Sequence, residues 1–409
     1  MATFPLDLIP LLGKFWAYLV YGVIGFGFGY VLEISGFGNS RKLAAQFYFK
    51  DLTVLKVMFT AIVVAMVLIF AASGLGLLDY NLVWVNPTYL WPGIVGGLIM
   101  GVGFIVGGFC PGTSLVAMVT KKIDGLFFVV GGLFGIFVFG EVVDSFAIFW
   151  NSSYYGRLTL MDVFKLPTGV VVVLVVLMAL FMFWGGEQLE RIFGKRDLKK
   201  EPKQRYAGAA GLLLVALAVL VIGQPDTGDR YARIASQKEA LVAERAVQIH
   251  PGEVLATMHD PSLRTVLLDV RTEADYNLFH LTDARRVSME MLPELVSELR
   301  LAPVNTVVVV MSNDEAAATD LWRSLMAESV ANVYILDGGI NQWIATFAQE
   351  EERIQALPDQ GVDRLDYEFS AALGGEFPAS DPAPHEFELE YTPKIELDIP
   401  RGPKSGGCG

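Results

Sequence analysis

Gly107-Gly108-Phe109-Cys110-Pro111-Gly112-Thr113-Ser114 closes an apolar run that begins near Trp91, and it holds one of the two cysteines in the chain. Proline straight after the cysteine suits the first turn of a helix, where a missing N–H costs nothing. Gly112, Thr113 and Ser114 then offer free backbone N–H groups and two hydroxyls at a helix N-terminus. Such an end attracts anions and favours the thiolate form of a cysteine placed there. The same residues also describe a helix break with an inert, hydrophobe-like cysteine. The surrounding sequence has to decide.

Apolar segments of spanning length lie near 15–34, 54–78, 88–108, 125–150, 167–185 and 206–223. Two pieces, about 39–48 and 111–119, are too short to span, and each follows the glycine-rich end of a long segment. Short, glycine-interrupted helices at corresponding places point to a transporter site. Gly25, Gly29, Gly36 and Phe37 match Gly97, Gly101, Gly108 and Phe109 at a constant offset of 72 positions. The same offset pairs Leu43 with Leu115 and Ala45 with Ala117, so Gly38-Asn39-Ser40 takes the place of Cys110-Pro111-Gly112. This reads as an internal repeat over about 15–78 and 88–150, each copy a long helix, a short re-entrant helix and a long helix. Glycine also recurs in membrane helices for packing alone.

Hydrophobic residues make up 53% of the 409, too many for one soluble domain, and most of the net charge of −13 falls after residue 225. An acidic soluble portion therefore follows a membrane portion. No basic face suits nucleic acid. Cys110 and Cys408 cannot make a disulfide framework. Residues 1–14 lack a basic n-region, and the apolar run after them continues as a span, so no cleavable signal is expected. Neither a metal site nor a cofactor is expected.

The boundaries that follow are 1–224 for a polytopic membrane domain, 225–246 for a polar, partly helical linker, 247–350 for an α/β domain and 351–409 for a tail. That tail is acidic and proline-containing, reads as extended or disordered with some docked segments, and ends Gly406-Gly407-Cys408-Gly409. Arg191, Lys195, Arg196, Lys199, Lys200, Lys203 and Arg205 place the 186–205 loop in the cytoplasm, and Arg41, Lys42, Lys50, Lys121 and Lys122 put the short-helix ends on the same side. If 206–223 crosses, everything after it is extracytoplasmic. Glu141 and Asp144 fall on one face of the fourth long helix, toward its outer end; Glu33 and Lys56 are as ambiguous, since interfacial solvation accounts for each as well as function does.

In the soluble part, strands at Thr265–Val270, Thr306–Met311 and Asn332–Leu336 alternate with helices at Met289–Leu301, Ala316–Ser329 and Ile340–Gln349. That order argues for a parallel sheet covered on both faces. Leu268-Asp269-Val270-Arg271, Tyr276, His280-Leu281, Ala284 and Leu336-Asp337-Gly338-Gly339-Ile340-Asn341-Gln342-Trp343 resemble the rhodanese (sulfurtransferase) family over roughly 250–347. The resemblance implies a persulfide-bearing cysteine after the buried strand, in a loop C-x-x-G-x-R whose N–H groups cradle the sulfur. Here the loop reads Ser312-Asn313-Asp314-Glu315-Ala316-Ala317. Ser312 stands at the nucleophile position, and the glycine and arginine are gone. The resemblance therefore implies a catalytically inactive, degenerate rhodanese fold.

Gly25-Phe26-Gly27-Phe28-Gly29, Ser35-Gly36-Phe37-Gly38 and Gly107-Gly108-Phe109-Cys110-Pro111-Gly112-Thr113 resemble the YeeE/YedE family of sulfur-transport membrane proteins over roughly 15–150. In that family cysteines at short-helix ends line a path for thiosulfate-like species. Only Cys110 carries over, since the first repeat has Gly38 at the matching place.

The leading expectation is an inner-membrane transporter or channel, of the bacterial plasma-membrane type, for a small sulfur-containing anion such as thiosulfate, sulfite, sulfide-level sulfur or a selenium analogue. Cys110, Gly112, Thr113, Ser114, Gly38, Asn39, Ser40 and Arg41 (or Lys42) would surround the ion. The lipid bilayer and a soluble sulfur-carrier protein are the expected partners. A membrane-bound sulfurtransferase relaying sulfur through Cys110 or Cys408 is one alternative. A scaffold that recruits sulfur-trafficking partners through the rhodanese fold is the other. Cys408, on a glycine-flanked tip, reads either as a swinging sulfur carrier or as an incidental tail residue.

Overall fold

The structure is a computed structural model of the chain and describes residues 4–397 other than 7, 84, 196–202, 304, 349–352, 359 and 388. The expectations on Arg196, Lys199, Lys200 and Cys408 lie outside the described residues. The chain divides between Gln224 and Pro225 into two compact units.

In the first unit the helices are α1 (Leu8–Leu12), α2 (Lys14–Ile34), α3 (Ser40–Ala44), α4 (Thr53–Gly74), α5 (Leu90–Gly107), α6 (Pro111–Val119), α7 (Ile123–Val142), α8 (Ala147–Trp150), α9 (Leu160–Phe164), α10 (Thr168–Phe193) and α11 (Gln204–Ile222). Among the described residues six helical stretches are long and apolar enough to cross a membrane, and α6 runs on from α5 as the short piece of one of them. Outward side chains of α2, α5 and α7, among them Phe26, Leu98, Ile99, Phe134 and Ile136, are exposed, as a helix needs when its solvent is lipid. The three-helix group α4, α10 and α11 instead has a dry core of Val63, Val67, Phe70, Val172, Val176, Ala179, Ala216 and Val219.

Two of the glycines paired by the 72-residue offset share one backbone conformation. Gly36 and Gly108 both lie at positive φ, 81° and 71°, a conformation in which a Cβ is disfavoured. Each ends a long helix, and each is followed within a few residues by a short one. Phe37 and Phe109, one position further on, are both 1% exposed and share one small core with Leu43, Val54 and Ala117.

Two long segments differ from expectation. The fourth ends as α-helix at Val142, and a 3-10 turn, Val143–Phe146, follows. Glu141 and Asp144 are therefore exposed on different elements rather than on one helix face. The fifth runs past 185 to Phe193, carrying Glu187, Glu190 and Arg191 into the helix.

In the second unit, α12 (Thr227–Ala243) precedes β1 (Gln248–Ile249), α13 (Pro251–Met258), β2 (Arg264–Asp269), α14 (Glu273–Leu278), β3 (Arg285–Arg286), α15 (Leu292–Arg300), β4 (Thr306–Met311), α16 (Ala316–Ala327), β5 (Val333–Leu336), α17 (Gly339–Phe347), β6 (Ile354–Ala356) and β7 (Tyr367–Phe369). The five-stranded sheet has the order β1-β5-β4-β2-β3 and is parallel at every pairing. Every residue of β4 is buried, the central-strand pattern of a doubly covered sheet. One core forms beneath α13 and α17 around Leu267, Phe279 and Trp343, the other beneath α15 and α16 around Leu268, Val310 and Trp322.

The segment read as a linker is mostly the helix α12, started by an Asp226–Asp229 capping box. It packs on the second core through Leu241 and Val242. Arg230 and Thr227 bond the buried Glu328, at 2.6 and 2.7 Å, and Glu239 pairs with Arg323 at 2.9 Å. The part of the tail up to 397 is docked too, as the antiparallel β6–β7 pair and two 3-10 turns, Pro378–Ser380 and Pro384–Glu386.

Candidate functional site

Cys110 is the N-cap of α6, with Pro111 in the first turn where its ring fits. The Thr113 N–H points at the sulfur, N to Sγ 3.5 Å, and the Thr113 hydroxyl lies 3.2 Å from it. Thr113 Oγ1 also accepts the Cys110 N–H at 3.0 Å, completing the capping box. The sulfur is thus held at the positive end of a nine-residue helix. Cys110 is half-buried; Thr113 and Ser114 are buried, and the Ser114 hydroxyl is turned back to the Pro111 carbonyl at 2.7 Å.

In the first repeat the cap shifts by one residue. Gly38, the positional match of Cys110, has no side chain to offer, and Asn39 caps α3 by accepting the Arg41 N–H at 3.1 Å. Asn39 and Arg41 are exposed. With five residues, α3 has too few aligned peptides to carry much dipole, so the field at this junction belongs mainly to α6.

The two repeats meet here. A Cβ built on Gly108 would lie 3.0 Å from Ser40 Cβ and 3.2 Å from the Ser40 carbonyl oxygen. Ser40 Oγ donates to Asp124 at the start of α7, 3.1 Å away. Gly38 is packed against the Glu33 carboxylate and the Lys122 ammonium, which pair with each other at 3.2 Å. Lys42 reaches back to the Ser35 carbonyl at 2.9 Å. Gly38, Ser40, Gly108 and Cys110 therefore belong to one junction, with Glu33, Lys122 and Asp124 around it. Sequence reading left Glu33 open and did not single out Asp124; the signal was there in a carboxylate two residues after the short-helix lysines of the second repeat.

A second charged feature joins α4 to α10. Glu190, 0% exposed, accepts from Lys56 Nζ at 2.7 Å and from the Leu52 N–H at 2.6 Å. It escaped the sequence reading because the fifth span was ended at 185.

In the second unit Ser312 directly follows β4 and is fully buried. Its hydroxyl accepts the Ala318 N–H at 3.2 Å. The motif residues Asp269 and Arg271 form a buried ion pair of 2.7 Å beneath this loop, and Arg271 also bonds the Phe279 carbonyl and reaches Asn313. Gly339, at φ 61°, carries the loop on its bare Cα: any Cβ there would lie 1.9 Å from the Asp314 carbonyl oxygen. The loop N–H groups do converge, although the family's glycine and arginine are absent. Asn313 and Asp314 donate to Asp363 Oδ1 at 2.8 and 3.2 Å, and Ala317 donates to Asp363 Oδ2 at 2.9 Å. Asp363 comes from the tail, fifty residues away, and nothing in the sequence marked it. Burial pushes the Asp314 carboxyl up, but N–H donors from Ala316, Asp363 and Glu315 outweigh it and hold it below the usual carboxylate range.

Among the described residues no three His, Cys, Asp or Glu side chains gather as a metal site. No curated protein and no solved structure matches the chain. A rhodanese-like domain matches residues 250–346, which covers the parallel sheet with the Ser312 loop. The Sulphur transport family matches residues 35–240, from the Gly36 turn through the last apolar helix and into α12. The chain therefore belongs to the sulphur-transport family, as a multi-pass membrane protein that also carries a rhodanese-like domain.

Proposed function

We propose that the protein carries a small sulfur-containing anion of the thiosulfate class across a bacterial-type inner membrane, through the junction of its two repeats. The observation that carries this reading is Cys110 Sγ at the N-cap of α6, two residues from the Gly108–Ser40 contact. The helix end favours an anion, and the thiol gives a polarisable contact for a soft sulfur atom. The N–H groups of the first turn replace part of the anion's water, as a desolvated ion requires, and the Thr113 hydroxyl, bonded to Cys110, holds the cap. Ser114, bonded to Pro111, shapes the turn rather than touching the ion.

The rhodanese-like unit serves this reading as a catalytically silent docking or relay module. Support comes from Ser312: a buried hydroxyl cannot carry a persulfide. The basic residues from Arg191 to Arg205, at the junction of α10 and α11, favour a cytoplasmic side for that junction, which leaves the rhodanese-like unit outside. Uptake of radiolabelled thiosulfate, sulfite and sulfate into proteoliposomes tests the proposal. Saturable uptake of a reduced-sulfur anion in preference to sulfate supports it. Equal permeability to all three, or none, refutes it.

A further inference from the structure

The loop after β4 contains an anion cradle, and the chain fills it with a carboxylate of its own. One oxygen of Asp363 takes the N–H groups of Asn313 and Asp314; the other takes that of Ala317 in the first turn of α16. Three backbone donors on one carboxylate is the coordination expected of a bound oxyanion at the head of a twelve-residue helix. Ser312 lies directly beneath, its hydroxyl on the next N–H, that of Ala318.

The segment bringing Asp363 is fastened from several sides. Asp314 Oδ2 accepts the Asp363 N–H at 2.7 Å, returning the bond that Asp314 N–H makes to Asp363. Asn313 Nδ2 donates to the Asp363 carbonyl at 3.1 Å. Asn341, at the start of α17, donates to the Arg364 carbonyl at 2.8 Å and accepts the Asp366 N–H at 3.0 Å. Asp363 itself sits at φ 53°, a conformation that Asp and Asn tolerate better than other side chains do. The nearby acids are already committed. The Asp314 carboxylate is held by the N–H groups of Glu315, Ala316 and Asp363, and Glu315 by Arg245 and the Gly338 N–H.

We propose that the 312–317 loop is a working oxyanion cradle held shut by the Asp363 carboxylate, an autoinhibitory strap, and that removing this carboxylate opens the cradle to a small sulfur oxyanion of the sulfate or thiosulfate type. This does not depend on transport through the membrane unit. It changes the account of the loop: what keeps an anion out is an intramolecular competitor, in addition to the missing cysteine.

Amide hydrogen exchange across residues 312–318 of the full-length protein in detergent is the test, with sulfate and thiosulfate added in the millimolar range. Asp363→Gly removes the carboxylate and relieves the positive φ, so the strap keeps its path. In the native protein these amides should exchange slowly and ignore added anion. In Asp363→Gly they should exchange at least about tenfold faster, and sulfate or thiosulfate should restore the protection saturably. Asp363→Asn keeps the shape but turns an amide NH₂ toward Ala317 N–H or toward the pair above it, so it should lose protection at one side only. It carries the test if the glycine variant does not fold, with exchange in β2 and β4 as the folding control. Unchanged protection in the variants, or lost protection that no anion restores, overturns the proposal.

Discussion

Gly108 lies against Ser40, so closely that a Cβ on the glycine would sit 3.0 Å from the serine Cβ. One residue ends the second repeat's long helix and the other begins the first repeat's short one, so the internal repeat closes on itself where Cys110 is held. Gly108→Ala should add a strain on the order of 1–2 kcal/mol from the left-handed backbone, and a collision with Ser40. Thermal unfolding of the detergent-solubilised protein should show a modest loss, while anion uptake falls much further. Equal, small effects on both would mean the contact is packing alone.

Glu190 and Lys56 tie α10 to α4, the carboxylate fully buried and the ammonium partly so. Replacing the carboxylate by Ala leaves an ammonium and the Leu52 N–H short of an acceptor, which costs about 3–5 kcal/mol for a buried pair. Glu190→Ala should therefore lower the unfolding midpoint of the solubilised protein sharply. The double variant Glu190→Leu, Lys56→Met should recover much of it, because both charges leave together.

Glu328 makes the helix α12 part of the second unit, and it should make that unit acid-sensitive. Burial raises the Glu328 carboxyl, but Thr227, Arg230 and Arg300 outweigh it, and the net direction is below the ordinary 4.5. A folded pKa lower than the unfolded one gives stability that is present above 4.5 and is lost as the pH falls through the folded value. Glu328→Gln should cost about 1–3 kcal/mol at neutral pH and should flatten the acid limb of the stability curve. Thermal unfolding of both proteins across that range measures it; an unchanged acid limb would place the sensitivity elsewhere.

Much of this molecule was legible before any coordinates. Six spans, two short helices and the β4–α16 and β5–α17 units follow from local periodicity, which the chain carries residue by residue. Cys110 at a helix start followed from Pro111. Long-range pairs were not legible. The Glu190–Lys56 bond spans 134 positions, and no local pattern marks a carboxylate that turns inward one helix turn past an expected end. Asp363 is the clearest case: its segment has no period, and its place is fixed by N–H groups fifty residues earlier. Short elements were lost for the opposite reason, since β1 and β3 have two residues each, too few to show alternation.

Ser312→Cys alone should not create a sulfurtransferase. The new thiol would be buried under Asp363, with no arginine to hold an anionic donor. Thiosulfate:cyanide transfer should stay at background in both the native protein and this variant. Turnover by the native protein would contradict the silent role given to the rhodanese-like unit.

The central claim is that the anion passes Cys110. Initial-rate uptake of radiolabelled thiosulfate into proteoliposomes, native protein against Cys110→Ser at matched insertion and stability, tests it most directly. Serine keeps the cap and the hydrogen bonds to Thr113 but removes the soft sulfur, so a loss of one contact of ordinary strength predicts a fall of about tenfold or more. Uptake by Cys110→Ser equal to that of the native protein would contradict the account.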